Sequence, residues 1–162
     1  MPKKNKGLQS TDFAAELIDA LNKEHGSRVA YNLATDMSPT HVKRWISTGS
    51  KLIDYIVSNK PDGGFPEGRI VEIFGPPSIG KSHLAIQVAR STQQMGGIAV
   101  YIDTENATSV ENLEALGIDI SKHFVFVETS CTEDVFKFAE STILRASSLN
   151  KDVPITIIWD SV

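Results

Sequence analysis

The residues Gly75-Pro76-Pro77-Ser78-Ile79-Gly80-Lys81-Ser82 read G-x-x-x-x-G-K-S, between an apolar run, Arg69-Ile70-Val71-Glu72-Ile73-Phe74, and a helix-patterned run from Lys81 to about Gln94. Strand, glycine-bounded loop and helix in that order are the setting of a phosphate-binding loop, in which successive backbone N–H groups close around phosphates at the positive end of a helix. Gly75 and Gly80 permit the required backbone angles and close approach. Lys81 is expected to reach the β- and γ-phosphates, and the Ser82 hydroxyl to ligate Mg²⁺. Pro76 and Pro77 have no N–H to give. The cradle therefore falls mainly to Ser78 through Ser82, and Ile79 contributes to it through its backbone. A chance match in a Gly/Pro turn is the competing reading; the strand before, the helix after and an acid downstream all weigh against it.

From Arg69 onward, apolar runs alternate with helical ones. Strand 69–74 leads to helix 81–94, strand 98–103 to a short helix near 109–116, and strand 124–127 to helix 132–148; strand 155–160 comes last. This alternation predicts an α/β fold, a parallel sheet with helices on both faces. Ligands of such sheets bind at the carboxyl ends of the strands, where the loop, Asp103, Glu105 and Asp160 all fall.

Asp160 ends an almost wholly apolar strand. A carboxylate there is costly unless hydrogen-bonded or facing a cation. A phosphate-bound Mg²⁺ would supply that partner, directly or through water; the plainer reading is a strand-end acid capping the next turn. Glu105, two residues past the end of strand 98–103, either leans over the γ-phosphate and orients an attacking water or is a surface acid near a helix start.

The 162 residues suit one domain with a real core. Net charge is −4, from 16 basic and 20 acidic residues, which is not the footprint of a module gripping nucleic acid with its whole surface. No apolar run approaches a membrane span of roughly 20 residues. The N-terminus Met-Pro-Lys-Lys-Asn-Lys has no apolar segment behind it, so it is not a secretory signal. The single Cys131 is expected to be a small packing residue, and it fits a reducing, cytoplasmic setting. His25, His41, His83 and His123 are scattered, without metal-ligand spacing.

Residues 1–9 are polar and predict a disordered tail. Ser10 is placed to cap a helix over Thr11 to about Glu24, which Gly26 ends. Phe13, Leu17 and Leu21, with Ala14 and Ile18 beside them, form one apolar stripe, which packs either on the chain's own core or on a neighbouring subunit. Val42, Trp45 and Ile46 suggest a short strand or turn-edge element. Leu52, Ile53 and Ile56 suggest a short helix. The segment 62–68 is turn chemistry.

A resemblance now joins these readings. Ile46-Ser47-Thr48-Gly49-Ser50 with Asp54, then Gly63-Gly64-x-Pro66-x-Gly68-Arg69-Ile70-Val71-Glu72-Ile73-Phe74-Gly75-Pro76, resembles the RecA family of DNA recombinases. So do Tyr101-Ile102-Asp103-Thr104-Glu105-Asn106-Ala107, Leu116-Gly117-Ile118-Asp119 and Asp160-Ser161-Val162. The likeness runs over about residues 10–162, and Arg44-Trp45 ahead of Ile46 is similar to phage-encoded, UvsX-like members.

The resemblance implies an ATP-dependent recombinase that forms filaments on single-stranded DNA and promotes homologous strand exchange, with Mg²⁺ and ATP as cofactors. It implies that Gly75 through Ser82 bind the phosphates, Glu105 activates water, Asp160 serves the metal, and the helix bearing Phe13, Leu17, Ile18 and Leu21 docks on the next subunit. The organisation implied is a tail at 1–9, a docking segment at 10–45, and a RecA-like core at 46–162. Two departures stand out. Asn112 occupies the place where many members carry an adenine-stacking tyrosine, and Pro77 replaces a residue that is usually not proline.

Val162 comes two residues after Asp160. The expectation is the N-terminal part of a longer protein, with the DNA-contacting loops downstream and little activity in this chain alone. The alternatives are another RecA-fold ATPase of DNA repair, or a non-catalytic nucleotide-binding module that docks on a filament.

Overall fold

The computed structural model describes residues 10–36, 40–149 and 152–161; the expected tail at 1–9, and Val162, lie outside the described residues. The chain divides into two compact units, Met1–His41 and Val42–Val162.

In the first unit, α1 spans Ser10–His25. Gly26 ends it at φ 73°, its N–H bonding to the Asn22 carbonyl at 3.1 Å. The Asn22 side chain then fastens the following loop. Its oxygen accepts from the N–H groups of Val29 and Ala30 at 2.8 Å each, and its nitrogen donates to the Ala30 carbonyl at 3.0 Å. Of the apolar stripe, Phe13, Leu17 and Leu21 are exposed by 62, 48 and 43%.

The second unit opens with β1 (Trp45–Ile46), α2 (Lys51–Ser58) and β2 (Phe65–Pro66), with β1 and β2 antiparallel. Their order rests on Asp54, which is buried and accepts from the Ser47 hydroxyl at 2.6 Å and from both the Thr48 N–H and hydroxyl at 2.7 Å. Gly64 is required where β2 passes β1: a Cβ there would stand 2.1 Å from the Ile46 carbonyl oxygen. Arg44 grips Glu67 through both nitrogens of its fork, at 3.0 and 2.8 Å, and also reaches the Asp152 carbonyl.

The remaining elements are α3 (Lys81–Gln94), β3 (Ile98–Asp103), α4 (Val110–Ala115), β4 (Phe124–Glu128), α5 (Thr132–Leu149) and β5 (Ile155–Asp160). The sheet is parallel, in the order β4-β3-β5. Period-two alternation along central β3 sends its side chains to opposite faces. Ala99 and Tyr101 pack with Ile86 and Ala89 of α3, Leu113 of α4, and Ile118. Val100 and Ile102 pack with Val135 of α5. Helices thus cover both faces, as the alternation predicts.

Two expectations are corrected. The run 69–74 is not a strand. Its backbone pairs with no strand among the described residues, and Ile70 and Phe74 are 101 and 86% exposed. Apolarity marks a segment suited to a sheet interior, but a strand exists only where a neighbour completes its ladder. Cys131 is exposed rather than packed. It stands just before α5, where its carbonyl accepts from the N–H groups of Asp134 and Val135 at 3.1 and 3.2 Å.

Candidate nucleotide-binding site

The loop 75–80 enters α3 through Gly80, whose φ of 100° is one that L side chains rarely adopt. Ser78 also sits at positive φ, 61°. Loop residues Gly75 through Gly80 are exposed, as is Ser82 in the first turn of α3. Lys81 folds back over the loop, its ammonium donating to the carbonyls of Gly75 and Pro76 at 3.0 Å each. The first-turn N–H groups of a helix have no intrahelical partner, and here a cation is held beside them, the electrostatics an anion needs.

Packing sets which end of the sheet the loop faces. The Thr92 hydroxyl, late in α3, lies 2.6 Å from that of Thr156, near the start of β5. Ile86, earlier in α3, packs with Tyr101 and Ile158, further along their strands. The helix thus runs opposite to the strands. Ten residues back from Thr92 to Ser82 is a rise of about 15 Å, and Thr156 to Asp160 advances about 13 Å. Ser82 and Asp160 come to the same end. Among the described residues no hydrogen bond joins the loop to Asp160 or Glu105; the shared end of the sheet is what relates them.

At that end Asp103 and Asp160 are paired in register. Asp103, 2% exposed, accepts from the N–H groups of Glu105 and Thr108 at 3.0 and 2.9 Å. It thereby shapes the loop that carries Glu105. The Glu105 carboxylate accepts from the Ser161 hydroxyl. Thr104 ties the two strand ends together: its N–H bonds to the Asp160 carbonyl at 2.9 Å and its hydroxyl to the Ser161 carbonyl at 2.7 Å. The Asp160–Ser161 peptide is cis. Asp160 Oδ2 accepts from the buried Tyr101 hydroxyl at 2.5 Å. Burial first, and then the bond to Asp160, push the Tyr101 phenol far above its ordinary value of 10.0, against a smaller opposing bond from Thr108.

The structure thus brings Glu105 and Asp160 to one end of the sheet, the end at which α3 begins. Asn112 spends its backbone N–H on the Ser109 hydroxyl at 3.2 Å, in the cap of α4. The polar contacts made by Tyr101, Asp103 and Ser161 were not foreseen. For Tyr101 a signal existed: a phenol in an otherwise apolar, doubly covered strand must find a partner. For Ser161 none did, because its contact depends on where two strand ends meet.

The donor set offers a hydroxyl, Ser82, and a carboxylate, Asp160, both hard oxygens suited to Mg²⁺. Among the described residues no group of three or more His, Cys, Asp or Glu is placed to hold a metal by itself. No helix of the described residues is long and apolar enough to cross a membrane.

The family model of the RecA N-terminal domain matches residues 13–162. Protein RecA of Chlorobaculum parvum is 41% identical over 145 residues, covering 90% of this chain and 39% of that protein. Protein RecA of Chlamydia felis is 36% identical over 162 residues, covering 100% of this chain and 41% of that protein. Protein RecA of Rubrobacter xylanophilus is 38% identical over 117 residues, covering 72% of this chain and 31% of that protein. The chain spans roughly two-fifths or less of the length of these relatives.

Proposed function

The chain belongs to the RecA N-terminal domain family, and from that premise we propose that it carries the nucleotide site of an ATP-dependent DNA recombinase acting in the cytoplasm. The observation that supports this most is that Gly75–Ser82, leading into the amino end of α3, lies at the same end of the sheet as Asp160 and Glu105.

In this reading the N–H groups of Ser78, Ile79, Gly80, Lys81 and Ser82 bind the phosphates. Lys81 exchanges the carbonyls of Gly75 and Pro76, which it now contacts, for phosphate oxygens. Ser82 and Asp160 would hold Mg²⁺, which would neutralise charge on the phosphates. Glu105 orients the attacking water. Ser161 occupies one of its oxygens, leaving the other for that water. The exposed side chains of Phe13, Leu17 and Leu21, with Ile18 beside them, dock on the next copy in a filament on single-stranded DNA. The DNA contacts themselves are assigned to parts of the protein beyond this chain.

The test is ATP hydrolysis by the whole protein with and without single-stranded DNA, together with strand exchange between a single strand and a homologous duplex. DNA-stimulated hydrolysis with exchange supports the recombinase reading. Hydrolysis without exchange points instead to another ATPase of the same fold.

A further inference from the structure

Tyr101 is 0% exposed, in a cluster it shares with Ile86, Ala89, Ala99, Leu113, Ile118 and Ile158. Phenylalanine would fill that space without bringing a hydroxyl. The hydroxyl is used: it donates to Asp160 Oδ2 at 2.5 Å. Strand register makes the contact possible. Tyr101 pairs with Ile158, so Asp160 lies two residues further along the same face of β5. The Tyr101 ring is also stacked on Phe126 of β4, with centroids 6.0 Å apart and planes at 14°. Its place is therefore set by packing on the helix side and by a neighbouring strand.

We propose that Tyr101 is a positioning residue for Asp160: by holding Oδ2, its buried hydroxyl fixes the carboxylate so that Oδ1 is the oxygen offered to the cation. This rests on the reading of Asp160 as the acid that serves Mg²⁺. A strand-end carboxylate with neither oxygen held turns about its Cβ–Cγ bond and takes water on both. One anchored by a donor that cannot itself move is already oriented. Partners of this kind, behind the metal ligands, typically set about 10-fold or more in metal affinity.

The test is a titration of Mn²⁺, as a spectroscopic stand-in for Mg²⁺, into the protein saturated with a non-hydrolysable ATP analogue. It compares the parent, Tyr101→Phe, Asp160→Asn and the double variant. Tyr101→Phe should keep its fold by thermal denaturation and its metal-free nucleotide affinity, yet bind Mn²⁺ about 10-fold more weakly. In the Asp160→Asn background the same change should have no further effect, because the partner is gone. Equal Mn²⁺ affinity in Tyr101→Phe and parent overturns the proposal. So does an equal loss in both backgrounds, which would mean that the ring acts through packing. Loss of fold in Tyr101→Phe also overturns it, by placing the hydroxyl's role in stability. If Asp160→Asn binds Mn²⁺ as the parent does, or the parent binds none, the metal assignment of Asp160 fails and this proposal falls with it.

Discussion

Asp103 and Asp160 face each other in register across the β3–β5 ladder, and the two carboxylates have opposite settings. Asp103 is buried and turned onto two backbone N–H groups of its own loop. Asp160 is half-buried and accepts from a side chain, Tyr101. One acid is spent on its own loop, and the other is the one proposed to serve the metal.

Asp103→Asn tests the loop-holding role. A carboxylate accepts both N–H groups, whereas an amide accepts one and turns its own NH₂ against the other. The variant should lose about 1–3 kcal/mol of stability in chemical denaturation. It should also release Glu105, lowering the rate of hydrolysis with little change in nucleotide affinity. Unchanged stability and rate would remove Asp103 from this account.

Asp54 makes a prediction about acid. Burial pushes its carboxyl up, but the hydrogen bonds from the Ser47 hydroxyl and from the Thr48 N–H and hydroxyl outweigh it, so the group is held below its ordinary value of 3.8. A depressed folded value means that the stabilisation is fully present above pH 3.8 and is lost as pH falls through the lower folded value. Asp54→Asn should cost about 2 kcal/mol at neutral pH, and the gap between variant and parent should narrow as denaturation curves are taken to lower pH through that window. A gap that stays constant with pH would contradict the assignment.

The α1 stripe should matter for assembly and not for folding. Phe13, Leu17 and Leu21 are exposed, so Leu17→Glu combined with Leu21→Glu should shift thermal stability within about 0.5 kcal/mol. Sedimentation with ATP analogue and single-stranded DNA should show loss of the large assembly. Assembly at the parental concentration would show that α1 is not the docking element.

Much of this was legible beforehand because periodicity reports burial. The helix expected over 81–94 is α3, Lys81–Gln94, and strands 98–103 and 155–160 are β3 and β5; continuous apolar runs have few other homes than a doubly covered sheet. The run 69–74 is apolar at most of its positions too but has no ladder among the described residues, and pairing is a relation between segments that one segment cannot display. Cys131 misled for a related reason: a thiol's size suits a core, but its place before α5 put it on the surface. The bond from Ser161 to Glu105 joins residues 56 positions apart, which no local pattern encodes.

In the function proposed, Gly75–Ser82 holds a nucleotide whose turnover depends on Glu105. The most direct measurement is ATP–Mg²⁺ affinity alongside single-turnover hydrolysis in the whole protein, for the parent, Lys81→Ala and Glu105→Gln. Lys81→Ala should bind far more weakly and hydrolyse nothing. Glu105→Gln should bind near-parentally, with hydrolysis slowed about 10²–10⁴-fold. Parental affinity in Lys81→Ala, or parental turnover in Glu105→Gln, would contradict the function proposed.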